Sequence, residues 1–310
     1  MTNPLVSIIV PAFNVALTLE ACVASIESTE LGDVEVIIVD DASTDETADI
    51  GDELSRRLGV SIIHHVINTG VVFSRNDGLN IATGTFVLFL DGDDRLCPGA
   101  LDSLLSEMNS DEVVGAAGRF RAVDEDGNDL DIGTWAHEQL RPVLRRHGRM
   151  VDSSRGLTAE AMLTRLVTPP PGAVLLRRSA VNAIGGFDPR VKRSEDLDLL
   201  VRIAALGRIV AVDATVLLYR RQASQRSAST RRRQFGRLWT LAMLIVRAPG
   251  GRAARVRGRG AAAHYLDRAE TRWRYGSHHI RDVVSVSRSV LLSGAFRALG
   301  LIMRIVRWPL

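Results

Sequence analysis

Four apolar runs recur in the N-terminal part of the chain: LVSIIV at 5–10, VEVIIV at 34–39, VSII at 60–63 and TFVLFL at 85–90. In the last of them Val87, Leu88, Phe89 and Leu90 run without polar alternation, which predicts a central parallel strand buried on both faces. Segments of helical period lie between the runs. Leu19, Cys22, Val23 and Ile26 fall at i, i+3, i+4 and i+7, and Ile50, Leu54 and Leu58 share a second stripe. Ser43 with Glu46 fits a capping box at the start of that second helix. Strand and helix alternating in this way predict βαβ units and a parallel sheet. Residues 119–172 are less regular, with a hairpin turn expected at Glu125-Asp126-Gly127-Asn128 and a break at Pro169-Pro170-Pro171-Gly172. Helical period returns at Leu197, Leu200, Val201 and Ala204, and a strand pair is expected near 208–219. The chain shows no internal repeat and no low-complexity tract.

Ligands of open α/β sheets bind beyond the carboxyl ends of the strands. Three polar stretches fall there: PAFN at 11–14, DDAST at 40–44 and DGDD at 91–94. Taken singly they read as a proline turn, a helix start with acids at the positive end of the dipole, and a solvated acidic turn. On successive strands of one sheet they converge on one crevice. The most apolar run of this half leads directly into Asp91, Asp93 and Asp94. Like charges crowd there unfavourably unless water, a metal ion or a cationic ligand offsets them. A D-x-D pair can hold Mg²⁺ or Mn²⁺ through oxygen and so bridge to phosphate. An aspartate after the second strand can accept from a base N–H or a ribose hydroxyl. The chain contains no G-x-G-x-x-G and no G-x-x-x-x-G-K-[ST], which disfavours dinucleotide and P-loop binding.

Composition adds three bounds. At 310 residues, 46% hydrophobic and 24% charged, the chain can bury a full core and carry an appendage. Its two cysteines, Cys22 and Cys97, sit in a predicted buried helix and a turn, so both are read as reduced, in a reducing compartment. The first 19 residues have no basic n-region, and no run of 18 clean apolar residues occurs, so neither a signal peptide nor a membrane span is expected. The net charge of +3 is unevenly spread. Residues 231–310 hold 17 arginines, no lysine and three acids, a local charge of +14 that leaves −11 on the remainder. An acidic body argues against nucleic acid as the main substrate. A basic tail suits nucleic acid, an acidic partner or anionic lipid headgroups.

The stretches SIIVPAFN, IIVDDASTDET, NTGVVFSRNDGLNIATGTFVLFLDGDD, GGFDP and SEDLDLLVRIAALG, in this order, resemble family 2 of the inverting glycosyltransferases over about residues 5–222. The resemblance implies a GT-A-type α/β fold: a Rossmann-like, mostly parallel sheet flanked by helices, here followed by a basic helical extension. It implies a catalytic domain over 1–222, with a nucleotide-sugar half at about 1–118 and an acceptor half at about 119–222, and an extension over 223–310. By the same resemblance Asp41 contacts the nucleotide base, and Pro11, Phe13 and Asn14 shape that pocket. Asp93 is the main ligand of Mg²⁺ or Mn²⁺, and Asp91 supports the metal or the donor sugar. Arg75 lies near the donor, a surface-helix arginine being the other reading. The Glu195-Asp196 pair supplies the base, Asp196 by preference. Inverting transfer is one displacement, so the acceptor hydroxyl needs a carboxylate base and the leaving diphosphate needs positive charge.

Where the family often reads Y-R-x-H, this chain has Tyr219-Arg220-Arg221-Gln222. Arg220 or Arg221 is then expected to meet the diphosphate, or water fills the position of the missing histidine. The seven histidines show no ligand-like spacing with the aspartates and read as structural or surface. A UDP-sugar is the favoured donor, and a glycan or lipid-linked hydroxyl the acceptor, with Trp135 in the acceptor region able to stack on a sugar face. Two other classes stay open on the residues alone: a sugar-phosphate nucleotidyltransferase, which would carry a glycine-rich basic loop that PAFNVALTLE is not, and a non-catalytic nucleotide-sugar or glycan binder acting through the tail. Residues 288–310 read as an amphipathic helix with Arg297, Arg304 and Arg307 on one side. It would lie on an anionic membrane surface or pack against protein, including a second copy of the chain. A cytoplasmic, peripherally membrane-bound location follows as the expectation.

Overall fold

A computed structural model describes residues 4–27, 33–125, 127–130, 145–146, 149–150, 168–191 and 194–221. The basic extension and Trp135 lie outside the described residues. The strands are β1 (Val6–Ala12), β2 (Val34–Asp40), β3 (Ser61–His64), β4 (Phe86–Phe89), β5 (Arg95–Leu96), β6 (Val113–Val123), β7 (Arg145–Arg146), β8 (Arg149–Met150), β9 (Val174–Arg177) and β10 (Arg208–Arg220). The helices are α1 (Leu19–Glu27), α2 (Thr47–Leu58), α3 (Val71–Ile81), α4 (Ala100–Leu105), α5 (Arg178–Ala183) and α6 (Glu195–Ile203).

Eight strands form one sheet in the order β3-β2-β1-β4-β9-β6-β10-β5, while β7 and β8 pair separately. Six of the eight run in one direction. Only β9, antiparallel to β4 and β6, and β5, antiparallel to β10, run the other way. The result is the expected α/β sheet with flanking helices. The first stripe is realised in full, since Leu19, Cys22, Val23 and Ile26 are all buried in the hydrophobic core. Of the second stripe only Leu54 is fully buried, and Gly51 leaves room for the side chain of Ile62.

The run at 60–63 forms the edge strand β3, which pairs only with β2 and is half-exposed. Two local expectations are corrected. The strand pair near 208–219 is one 13-residue strand, β10, whose register against β6 shifts between Ala211 and Leu217. Ser43 and Glu46 form no capping box. Asp45 serves instead, accepting the Thr47 N–H at 3.1 Å and the Thr47 hydroxyl at 2.6 Å. The turn after β6 forms as expected. Asp124 accepts from the Asn128 N–H at 2.8 Å, with Gly127 in the left-handed region at φ 86°.

Candidate active site

The three polar stretches meet at the carboxyl ends of β1, β2 and β4 because their loops are stitched together by hydrogen bonds. Asn14, in the left-handed region at φ 54°, gives its N–H to the Ser43 hydroxyl at 3.1 Å and accepts the Thr44 N–H at 2.8 Å. Val15 N–H donates to Thr47 Oγ1 at 2.9 Å and Ala16 N–H to Asp45 Oδ2 at 3.2 Å. The Thr18 hydroxyl reaches the Gly92 carbonyl at 2.9 Å, tying the first loop to the acidic turn. An added Cβ at Gly92 would lie 3.1 Å from Val15 Cγ2, so the two loops pack closely there. Asn14 is therefore a brace between loops. Pro11 is buried within β1, and Phe13 stands 40% exposed at the crevice mouth.

Asp41 is buried beneath the loop that joins β3 to α3. Its Oδ1 accepts from His65 Nδ1 at 2.7 Å, Thr69 N–H at 2.8 Å and the Thr69 hydroxyl at 3.0 Å, and its Oδ2 accepts the Gly70 N–H at 2.7 Å. Burial alone would raise this carboxyl, but the donors from Thr69, His65 and Gly70 outweigh it and hold Asp41 below the usual aspartate range. The residue expected at the base thus anchors residues 65–70 over the crevice. His65 also lies 3.1 Å from Asp77, and His64 sits between Asp40 and Asp52, so both histidines are structural, as expected.

Arg75 is not a surface residue. It is 3% exposed on α3, donates through Nη2 to Asp91 Oδ1 at 2.7 Å and through Nη1 to Glu195 Oε1 at 3.2 Å, and lies over the Phe187 ring at 5.2 Å. Phe187, the aromatic of GGFDP, is set by its neighbours. Asn76 exchanges two 2.9 Å hydrogen bonds with the Phe187 main chain, and Arg202, paired with buried Asp198, donates to the carbonyls of Ile184 and Gly186. Three separated motifs thereby act as one unit around a single guanidinium. Burial pushes the Glu195 carboxyl up; the charge of Arg75 opposes this without cancelling it, and Asp196 and Asp91 add to the rise.

Asp94, the third of the crowded aspartates, is the most buried acid of its turn at 1% exposure. Its Oδ1 accepts the Arg220 N–H at 2.9 Å, and its buried Oδ2 has no hydrogen-bond partner. Burial, then the charges of Asp93 and Asp91, raise its carboxyl well above the usual range. The Arg220 guanidinium turns to the main-chain carbonyls of Asp93, at 3.2 Å, and Glu125, so it braces the acidic turn from behind. The Arg221 N–H closes the end of β6 on Val123 at 2.9 Å, and Gln222 lies outside the described residues. Among the described residues no three carboxylate, imidazole or thiol groups converge as a ready-made metal cage. Two carboxylates on an all-oxygen turn nonetheless suit Mg²⁺ or Mn²⁺, which bind one or two protein carboxylates together with substrate phosphates.

Asp196 is the second residue of α6, which begins after Ser194 in the strained left-handed region at φ 54°. Its Oδ2 accepts the Thr168 hydroxyl at 2.9 Å and its Oδ1 the Leu197 N–H at 2.8 Å. Thr168, Asn76 and the Asp198–Arg202 pair are the contributors the sequence reading missed; Asp94 was named there with its two neighbours but given no separate role. Of the three missed, only the Asp198–Arg202 pair left a signal, an opposite-charge i, i+4 spacing on the helix that carries Glu195 and Asp196.

The fold is an α/β sheet with its carboxylates gathered beyond the strand ends. The family model for glycosyl transferase family 2 matches residues 7–185. The chain belongs to that family and is a glycosyltransferase by class. It is 30% identical over 255 residues, 79% of this chain and 76% of the relative, to an uncharacterized protein of Mycobacterium tuberculosis. It is 46% identical over 97 residues to a PGL/p-HBAD biosynthesis glycosyltransferase of Mycobacterium bovis, a stretch that is 31% of this chain and 38% of that one. Among solved structures it shares the fold of Staphylococcus aureus TarS (residues 1–349, in complex with UDP-GlcNAc) with a TM-score of 0.63 at 18% identity, covering 95% of this chain and 77% of TarS.

Proposed function

We propose that the chain transfers a sugar, with inversion and with a divalent cation, from a nucleotide-sugar donor to a hydroxyl of a glycan or lipid-linked acceptor. The observation that carries this reading is the Arg75 bridge: one guanidinium touches Asp91 of the acidic turn and Glu195 beside Asp196, so donor-side and base-side carboxylates share one crevice. The acceptor oxygen attacks the anomeric carbon and its proton passes to Asp196. The bond from that carbon to the diphosphate breaks, and its electron pair leaves with the nucleoside diphosphate. Asp93 and Asp91 would hold the Mg²⁺ or Mn²⁺, which when bound offsets the charge of the leaving diphosphate. Phe13 and the loop anchored by Asp41 shape the nucleotide end, and Arg75 sets the spacing between the two ends. Glu195, engaged by Arg75, supports the base and does not replace it. The TarS complex favours a UDP-sugar as donor.

The catalytic domain in this proposal is 1–222. The basic extension 223–310 brings the enzyme to an anionic, cytoplasmic membrane face, where a lipid-linked acceptor would be met. The test is nucleoside diphosphate release from a panel of UDP-, GDP- and dTDP-sugars with and without Mn²⁺, in the wild-type chain and in Asp196→Asn. Turnover should fall by about two orders of magnitude or more in the variant, with donor affinity retained. Near-normal turnover by Asp196→Asn, or a product of retained anomeric configuration by NMR, would refute the mechanism.

A further inference from the structure

We infer that Thr168 is a positioning residue for the base, an inference that rests on the assignment of Asp196 as that base. The hydroxyl of Thr168 reaches Asp196 Oδ2 across 28 positions of sequence, while Oδ1 is held by the Leu197 N–H of α6 itself. Each carboxylate oxygen is thus tied to a different part of the chain, which fixes the plane of the group. A carboxylate has about four acceptor positions, so two such bonds leave it able to take a proton. Its neighbour is held differently: Glu195 is committed to the Arg75 guanidinium, whereas Asp196 is held by two neutral donors.

The backbone around Thr168 suits a rigid support. Thr168 precedes Pro169, Pro170 and Pro171, and a residue before proline is confined to extended backbone. Pro170 adopts φ −53° and ψ 148°, the stiff polyproline geometry. The strap then seats at Gly172, where an added Cβ would lie 2.9 Å from Leu217 Cδ1 and 3.0 Å from Leu90 Cδ1. Leu90 immediately precedes Asp91. The strap that holds the base is therefore packed directly behind the strand end that carries the acidic turn, and the two halves of the crevice share one mechanical reference.

The test uses the full chain, the panel donors UDP-GlcNAc, UDP-glucose and GDP-mannose, and Mn²⁺. Thr168→Val keeps shape and removes the hydroxyl; turnover should fall about tenfold to a hundredfold while donor KM changes by less than about twofold. Thr168→Ser, which keeps a hydroxyl, should stay within about threefold of wild type. In an Asp196→Asn background, Thr168→Val should cost nothing further, because the two residues act as one unit. Unchanged turnover in Thr168→Val, an equal loss in Thr168→Ser, or a full additional loss on top of Asp196→Asn would overturn the inference while leaving Asp196 as base. Wild-type turnover in Asp196→Asn alone would overturn both.

Discussion

Replacing Arg75 by methionine keeps the length of the side chain and its packing on Phe187 but removes the charge shared by Asp91 and Glu195. Removing one partner of a buried ion pair costs about 3–5 kcal/mol, because the remaining charge is left uncompensated. The Arg75 side chain is 3% exposed, but those of Asp91 and Glu195 keep 31% and 19% of their exposure, so water recovers part of the loss. The lower end of that range, about 3 kcal/mol, is therefore expected near neutral pH. For a domain of this size each kcal/mol lowers the melting temperature by about 2–4 °C, so the midpoint should fall by about 6–12 °C in scanning calorimetry. The loss should also depend on pH. Glu195 already holds its proton to higher pH in the folded chain than in the unfolded one, and losing Arg75, the main opposing influence, extends that difference upward. Through this window the folded state binds more protons than the unfolded state, so stability rises as pH falls. The gap between variant and wild type should then narrow between neutral pH and about pH 5. A fall of less than about 2 °C, or a gap that does not change with pH, would refute the view that Arg75 neutralises a buried acidic pair.

Asp93→Asn should weaken Mn²⁺-dependent UDP binding by about tenfold or more in calorimetry, and unchanged affinity at low metal would remove Asp93 as a ligand. Asp41→Ala strands four donors of the 65–70 loop, so about 2–3 kcal/mol of stability and much of the nucleotide affinity should go together; affinity lost with stability intact would instead favour direct contact with the base. Gly186→Ala places a Cβ 2.6 Å from Asn76 Oδ1 at φ 68° and should cost about 1–3 kcal/mol by urea unfolding. The full chain should co-sediment with anionic liposomes and a chain ending at Ser287 should not, and equal, lipid-independent sedimentation of both would remove the membrane proposal.

Strands β1 and β4 were legible because a centrally placed parallel strand is nearly all apolar: β4 is apolar throughout and β1 apolar but for Ser7. Strand β6 was hidden by its glycines. At Gly118 an added Cβ would lie 2.5 Å from Val216 Cγ2, so small residues there admit side chains of β10 and erase the hydrophobic signature. Strand β9 is four residues long, follows three prolines and runs against its neighbours, so no βαβ pattern announces it. Among site residues, the acids were found because charge after a buried strand is costly without a purpose. The burial of Arg75 was not legible, because its partners stand 16 and 120 positions away and the sequence of α3 marks no face as interior. Thr168 and Asp94 matter through contacts 28 and 126 positions distant, which no local pattern encodes.

The order of strands in the sheet also governs how the chain can be assembled. Strand β4 pairs with β1 on one side and with β9 on the other, and β9 begins at Val174, so a ribosome must emit about 85 residues beyond Phe89 before that second edge is covered. Until then the nascent N-terminal segment presents an apolar strand with one open edge, ending in crowded carboxylates, a target for chaperones and for edge-to-edge association. Expressed alone, residues 1–118 should aggregate, whereas co-expression with a second fragment carrying β9, α6 and β10 should recover soluble protein by complementation. The two ends of this sheet are therefore interdependent in folding.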